Sequence, residues 1–468
     1  MARRSTLLSA ELRARGPLVL MICFLALVAL TGGASRADSL AQPFVRVGSI
    51  IYVGALVALG WIDWGRARAL WPMFAVLALA VLAAAVQLIP LAPSLWTGLP
   101  GRAFYEQAAQ IAQIAQPARP INLSPDRGWN ALFSLVVPVA AAIGLTSLDR
   151  ASRAQMVMPL IVIIFASAVL GLAQISGGDA SPLRWYAITN RSSAVGLFAN
   201  RNHDATFLAM AFPLMAVWAM QQRDRRKGVP MRGWVALGMG VFLMLMLVTT
   251  GSRAGLVLGV LSILLSLAIA VPSLRKAYGK VRRKRRPYYI GGALVLIAGF
   301  VAAVMSFQRA AAVQRFMGLG VADEVRASVW PVAWEMTRAF FPIGIGYGAF
   351  DPVYRRFEPF ANLGTSYVNA VHNDYLQVVL EGGALGAVII ALALIWWLFG
   401  TGRLWLQESE RNFVPLGRAG SVIILLVALA SVVDYPARTP LIMTMLVLAA
   451  GWMQLPWARG RALRNTER

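Results

Sequence analysis

The chain has 468 residues, 58% of them apolar and only 14% charged, with a mean hydropathy of +0.64. A soluble domain carries about 25% charged residues, so a string of soluble domains is excluded and one membrane domain over 1–468 is expected. The net charge of +24 reads as the cytoplasmic bias of a membrane protein, not as a nucleic-acid surface, because of where the cations fall.

A hydrocarbon core of ~30 Å takes about 20 apolar residues per helical crossing. Twelve runs approach that length: 16–33, 44–61, 69–91, 129–147, 155–176, 204–221, 233–250, 254–271, 290–307, 380–400, 418–434 and 439–456. They are continuous, not alternating, which predicts helices and not a barrel. The expected fold is all-α, a polytopic bundle of about twelve transmembrane helices. The first run follows Met1-Ala2-Arg3-Arg4 and is read as a retained helix; the alternative is a secretory leader ending near Ala34-Ser35-Arg36-Ala37. It holds Cys23, the single cysteine. A lone thiol makes neither an internal disulfide nor a thiolate metal site, and a core position is expected for it.

Both termini are expected in the cytoplasm. That placement gathers Arg3, Arg4, Arg13, Arg15, Arg66, Arg68, Arg150 and Arg153 on one side, with the basic runs at 223–227 and 282–286 and all four lysines. The basic runs also suit anionic membrane lipids. Three outer segments are long. The first, 92–127, contains Trp96, Leu99-Pro100-Gly101-Arg102 and an amphipathic stretch near 106–114. The second, 176–203, ends in Asn200-Arg201-Asn202-His203. The third and largest, 308–371, lies between the ninth and tenth crossings, and length of that kind points to function. A helix near 324–339 would align Arg326, Trp330 and Trp334 at steps of four, with Pro331 marking a kink or a late start.

Both histidines, His203 and His372, fall at the outer boundary, as do Arg201, Arg253, Arg326 and Arg438. Arg253 is informative, because its turn Thr250-Gly251-Ser252-Arg253 needs no charge to be tight. An arginine between two crossings is costly unless it meets water or an anion; the plain alternative is snorkelling to head groups. Arginine forks match phosphate oxygens, and an imidazole takes a proton from an attacking hydroxyl. At the mouth of a helix, the positive end of the dipole favours the neutral ring that a base needs. Asn373 or Asp374 would orient that ring or cap the helix. Together these groups describe displacement of a phosphate-type leaving group from a sugar by an alcohol.

Rival chemistries lack their parts. No outer loop carries Asp-x-Asp for a divalent cation, and no His/Cys cluster suits zinc. There is no Gly-x-x-x-x-Gly-Lys phosphate loop, and Gly344-x-Gly346-x-Gly348 reads as a turn. A transporter would place polar residues along a mid-membrane path. Arg46 and Gln87 lie instead near helix ends, and the middles are almost wholly apolar.

His372-Asn373-Asp374-Tyr375-Leu376 leading to Leu380-Glu381-Gly382-Gly383 resembles the signature of the O-antigen ligase and polymerase family of bacterial membrane proteins. The 196–203 stretch, the Gly251-Ser252-Arg253 turn, Arg326 with its tryptophans and Asp434-Tyr435-Pro436 resemble it too, in the family's order over 190–440. The resemblance implies a metal-independent, cofactor-free glycosyltransferase of the inner membrane, active at the periplasmic face in lipopolysaccharide or exopolysaccharide synthesis. The donor implied is an undecaprenyl-diphosphate-linked glycan. The acceptor is a lipid A-core sugar for a ligase, or a second carrier-linked glycan for a polymerase. His372 takes the place of the family's essential histidine, and Arg253 and Arg326 those of its diphosphate contacts. Arg201, His203, Asn373, Asp374, Arg438, Trp330 and Trp334 are expected to bind substrate.

Overall fold

The computed structural model describes residues 2–221, 231–280, 321–363, 367–408 and 413–455. Among the described residues, eight helices are long and apolar enough to cross a membrane: Ala41–Ala58, Pro125–Ser147, Arg150–Ser176, Arg201–Met220, Met231–Thr250, Arg253–Pro272, Asp374–Leu406 and Val414–Val433. Three shorter apolar helices, Arg15–Thr31, Trp71–Val86 and Pro440–Met453, accompany them. Each overlaps an expected crossing. The remaining expectation, 290–307, lies outside the described residues. The one strand pairing among them is the antiparallel ladder of Pro90–Leu91 with Arg119–Pro120. The chain is thus a polytopic helical membrane protein.

Two helices form the centre. Arg201–Met220 is 78% buried and Val414–Val433 67%, against 28–44% for the other six long spans. The outer ring turns apolar side chains such as Ile51, Val257, Leu264 and Phe399 outward, as a lipid-facing surface does. Cys23 is a correction: it is exposed on that surface, because the inward stripe of its helix is taken by Met21, Phe24, Leu25 and Val28. At the end of the bundle away from His372, arginines close helix C-termini. Arg66 donates to Thr146 O and Ser147 O, and Arg153 to Leu145 O at 2.7 Å. Arg418 donates to Gln407 O at 2.6 Å. Guanidinium groups there complement the negative end of each helix dipole.

Two helices start earlier than the apolar runs suggest, and asparagine is the reason in each. Asn200 accepts from Asn202 N at 2.8 Å and opens the helix at Arg201, not 204. Asn373 accepts from Leu376 N at 3.0 Å and opens the next at Asp374, not 380. Side-chain oxygens at these positions satisfy first-turn N–H groups that would otherwise be orphaned.

The helix Asp374–Leu406 is broken at Gly383, whose φ of 59° and ψ of −145° are open only to glycine. A Cβ there would lie 2.1 Å from Pro342 O. The break frees backbone groups inside the membrane protein, and the 342–346 turn takes them up. Ile345 N donates to Leu380 O, Gly346 N to Glu381 O, and Ala384 N to Pro342 O at 2.8 Å. Gln87 adds a bond from Nε2 to Glu381 O and receives Tyr347 N. Gly344, Gly346 and Gly348 all have positive φ and line this turn. A small second core of Val329, Met336, Phe340, Phe350, Tyr354, Val371 and Leu380 then seats the helices Val321–Phe340 and Phe350–Phe357 on the head of the broken helix.

Candidate active site

His372 precedes the Asn373 cap and has φ of +56°, a left-handed conformation uncommon outside glycine. Its neighbours hold it there. Val371 N donates to Gln377 Oε1 at 3.0 Å, and Val371 O accepts from Trp330 Nε1 at 3.0 Å. Such a strained residue, fixed on both sides, is a common feature of functional sites.

The imidazole meets Asp434, at the C-cap of Val414–Val433: Nδ1 lies 3.2 Å from Asp434 Oδ1. An ionised carboxylate only accepts, so Nδ1 is the donor in this contact. His203 Nε2 reaches the same oxygen at 3.7 Å, and Tyr435 N donates to it at 2.9 Å. The other oxygen accepts from Asn202 Nδ2 and, at 3.5 Å, from Asn200 Nδ2. Asp434 is 4% exposed. Burial alone would raise its pKa, but the contacts with His203 and His372 outweigh that and hold it well below the usual carboxylate range. The Tyr435 ring packs against both imidazoles, with centroids 5.1 and 4.9 Å away.

A second cluster adjoins the first. Arg438 Nε donates to Asp374 Oδ1 at 3.0 Å and Nη2 to Glu381 Oε2 at 3.4 Å. Ser431 Oγ completes Asp374, and Gln377 Nε2 completes Glu381. Burial opposes the Arg438 charge, yet the two carboxylates raise its pKa above the ordinary arginine value. Asp374 therefore serves Arg438, while the carboxylate on the His372 ring belongs to Asp434.

The other expected residues fall as follows. Arg201 Nη1 lies 3.4 Å from Ser193 Oγ, and a Cβ on Gly251 would stand 3.5 Å from the same nitrogen. Its guanidinium thus covers the turn into Arg253. Ser252 Oγ accepts from Gly255 N at 3.0 Å and starts that helix. Gly255 lies so close to Ala205 that its Cβ would approach to 2.3 Å, which brings the Arg253 helix against the one bearing His203. The backbone of Arg326 is in Val321–Phe340, and its side chain lies outside what is described. The two tryptophans of that helix differ: Trp330 is bound to Val371, whereas Trp334 is 58% exposed. Sequence reasoning named the Asp434-Tyr435-Pro436 motif but gave Asp434 no role, and it overlooked Asn200 and Asn202. Among the described residues, no group of three or more His, Cys, Asp or Glu is placed to hold a metal ion.

Helices that bring two imidazoles, a buried carboxylate and the Arg438 guanidinium to one end define a polytopic membrane protein with a polar centre. Residues 238–391 match the family model described as O-antigen ligase. That match supports reading the chain as an O-antigen ligase family member, with a ligase- or polymerase-type function on lipid-linked glycans at the membrane. No curated protein matches the chain. The matched segment contains Arg253, Arg326, Trp330, Trp334 and the stretch from His372 to Asp374, while His203, Asp434 and Arg438 lie beyond it.

Proposed function

We propose that the protein transfers glycan from an undecaprenyl-diphosphate carrier to a sugar hydroxyl of a lipid A-core acceptor, at the periplasmic face of the inner membrane. His372 Nε2 removes the proton of the acceptor hydroxyl. The oxygen then bonds to the anomeric carbon as the bond from that carbon to the carrier's diphosphate breaks, with inversion. Asp434 fixes the ring and stabilises the imidazolium that forms. Arg253 and Arg326 hold the diphosphate and the negative charge that it gains on leaving. Arg201, beside the Arg253 turn, belongs to the same anion-binding side. The single observation that carries this reading is the 3.2 Å contact of His372 with Asp434, which leaves one imidazole nitrogen for substrate.

The test is transfer by the purified chain in detergent, with carrier-linked glycan as donor and either lipid A-core or a second carrier-linked glycan as acceptor. His372→Ala is expected to abolish product in both formats. Unchanged transfer would remove the base from the scheme. Product on the carrier-linked acceptor alone would make the protein a polymerase.

A further inference from the structure

A cavity of about 910 Å³ adjoins the two histidines through Tyr435, whose ring packs against both. Tyr435 lines it, whereas His203, His372, Arg201 and Arg253 do not. Its lining includes residues on both sides of the break in the helix Asp374–Leu406, from Asp374 to Leu394. Its character changes along that helix. The deep part is apolar, walled by Ile389, Ile390, Leu394, Ile424, Val427 and Leu446. The upper part carries Arg46, Asn130, Asn369, Gln377, Tyr347 and Tyr375.

Four arginines line the cavity, and three of them are neutralised within the protein. Arg36 pairs with Asp38 at 2.8 Å, Arg127 with Asp351 at 2.9 Å, and Arg438 with Asp374 and Glu381. Arg46 differs. Its Nη2 donates to Asn130 Oδ1 at 2.8 Å and Gln42 Oε1 at 3.2 Å, both neutral amides. Its Nε is buried without a hydrogen-bond partner, and among the described residues no carboxylate lies within ion-pair distance. A guanidinium in a membrane-spanning helix without a counter-ion, opening onto a cavity, is poised for an anion. The same cavity is lined by Asp374, Arg438 and Glu381, with Gln377 and Asn369, a polar wall of the kind against which sugar hydroxyls pack.

We propose that this cavity is the berth of the acceptor, a lipid-anchored glycan whose phosphate sits on Arg46, whose sugars face the Asp374–Arg438–Glu381 wall and whose hydrocarbon chain fills the apolar depth. The assignment to the acceptor rests on the reading above, in which the donor diphosphate occupies the Arg253 side. Tyr435 then adjoins both substrates, and the acceptor hydroxyl passes its edge to reach His372.

Photolabelling of the purified full chain tests this without catalysis. The probes are a diazirine-bearing hexadecyl phosphate and the matching hexadecanol, with inorganic phosphate as competitor. The phosphate amphiphile is expected to label peptides containing 389–394 and Leu446. Arg46→Gln should cut that label by about tenfold, the loss of one charge-assisted contact, and Arg46→Lys should keep most of it. The alcohol should label weakly and without regard to Arg46. Arg253→Ala should leave the label in place and weaken donor binding only. Labelling indifferent to Arg46→Gln overturns the proposal. So does displacement by equimolar inorganic phosphate, which marks a free-anion site, or loss of label in Arg253→Ala, which makes the cavity the donor's. A transfer assay keeps the two readings apart. Arg46→Gln should raise the acceptor KM about tenfold with the donor KM unchanged, whereas activity surviving in His372→Ala would sink the enzymatic reading and leave the labelling result standing.

Discussion

Replacing Asp434 by Asn is the sharpest perturbation of the centre, because it keeps the shape and removes the charge. One carboxylate oxygen faces Tyr435 N at 2.9 Å and His372 Nδ1 at 3.2 Å, and the other faces the amide donors of Asn202 and Asn200. An amide has one accepting end. Either orientation therefore sets its NH2 against at least one donor, in a residue 4% exposed. A buried polar group left unsatisfied costs about 1–3 kcal/mol, so Asp434→Asn should lower stability by that amount. In the proposed mechanism catalysis suffers more, since no carboxylate remains to hold the His372 ring through Nδ1 or to stabilise the imidazolium. Transfer should fall by a factor on the order of 10² to 10⁴ in kcat, with the donor KM within about threefold. The pH dependence has a definite sign. Burial raises the Asp434 pKa, the histidine contacts lower it further, and the net folded value is well below the ordinary one. The carboxylate thus contributes stability above the unfolded value of about 3.9, and loses it as pH falls from there through the folded value. The gap in melting temperature between wild type and Asp434→Asn should be full at neutral pH and shrink on acidification below about pH 4. Undiminished kcat in the Asp434→Asn protein would refute the assigned role.

Gly383→Ala should destabilise by about 3 kcal/mol or more, because it adds the strain of a glycine-only conformation to a Cβ 2.1 Å from a backbone oxygen; a wild-type melting curve would contradict the reading of the break. Trp330→Phe removes the donor to Val371 O while keeping the ring packed. It should cost about 1 kcal/mol of stability and lower kcat more than either KM, a split that steady-state kinetics would show or deny.

Much of the bundle was legible because a crossing announces itself locally, as some twenty apolar residues with no other use. The histidine at the head of the tenth crossing was legible for the same reason, since a polar triplet there interrupts such a run. The centre was less so. Asp434 reaches His372 across 62 positions of sequence, and no spacing within Asp434-Tyr435-Pro436 marks it as the ring's partner. Asn200 and Asn373 are cap residues by type, and reading them as caps would have moved both helix starts to their observed places. Arg46 was set aside for lying near a helix end. Its significance depends on which carboxylates stand near the other cavity arginines, and that is decided only by packing.

The broken helix accounts for the 342–346 turn that packs against its head. Backbone groups released at 380–384 have no water to turn to if they lie at membrane depth, so the break is tolerable only when another segment supplies partners. The 342–346 turn does so with three backbone bonds, and its glycines permit the approach. Both halves of this lock, together with His372, fall inside the matched segment 238–391. His203 and Asp434 lie outside it, on the two most buried spans. The proposed catalytic centre is therefore a junction between the locked 342–346 turn and the core of the bundle. A change that loosens the lock should displace His372 from Asp434 before it unfolds the helices, so activity in Gly383→Ala should be lost at temperatures where its helical circular dichroism is still intact.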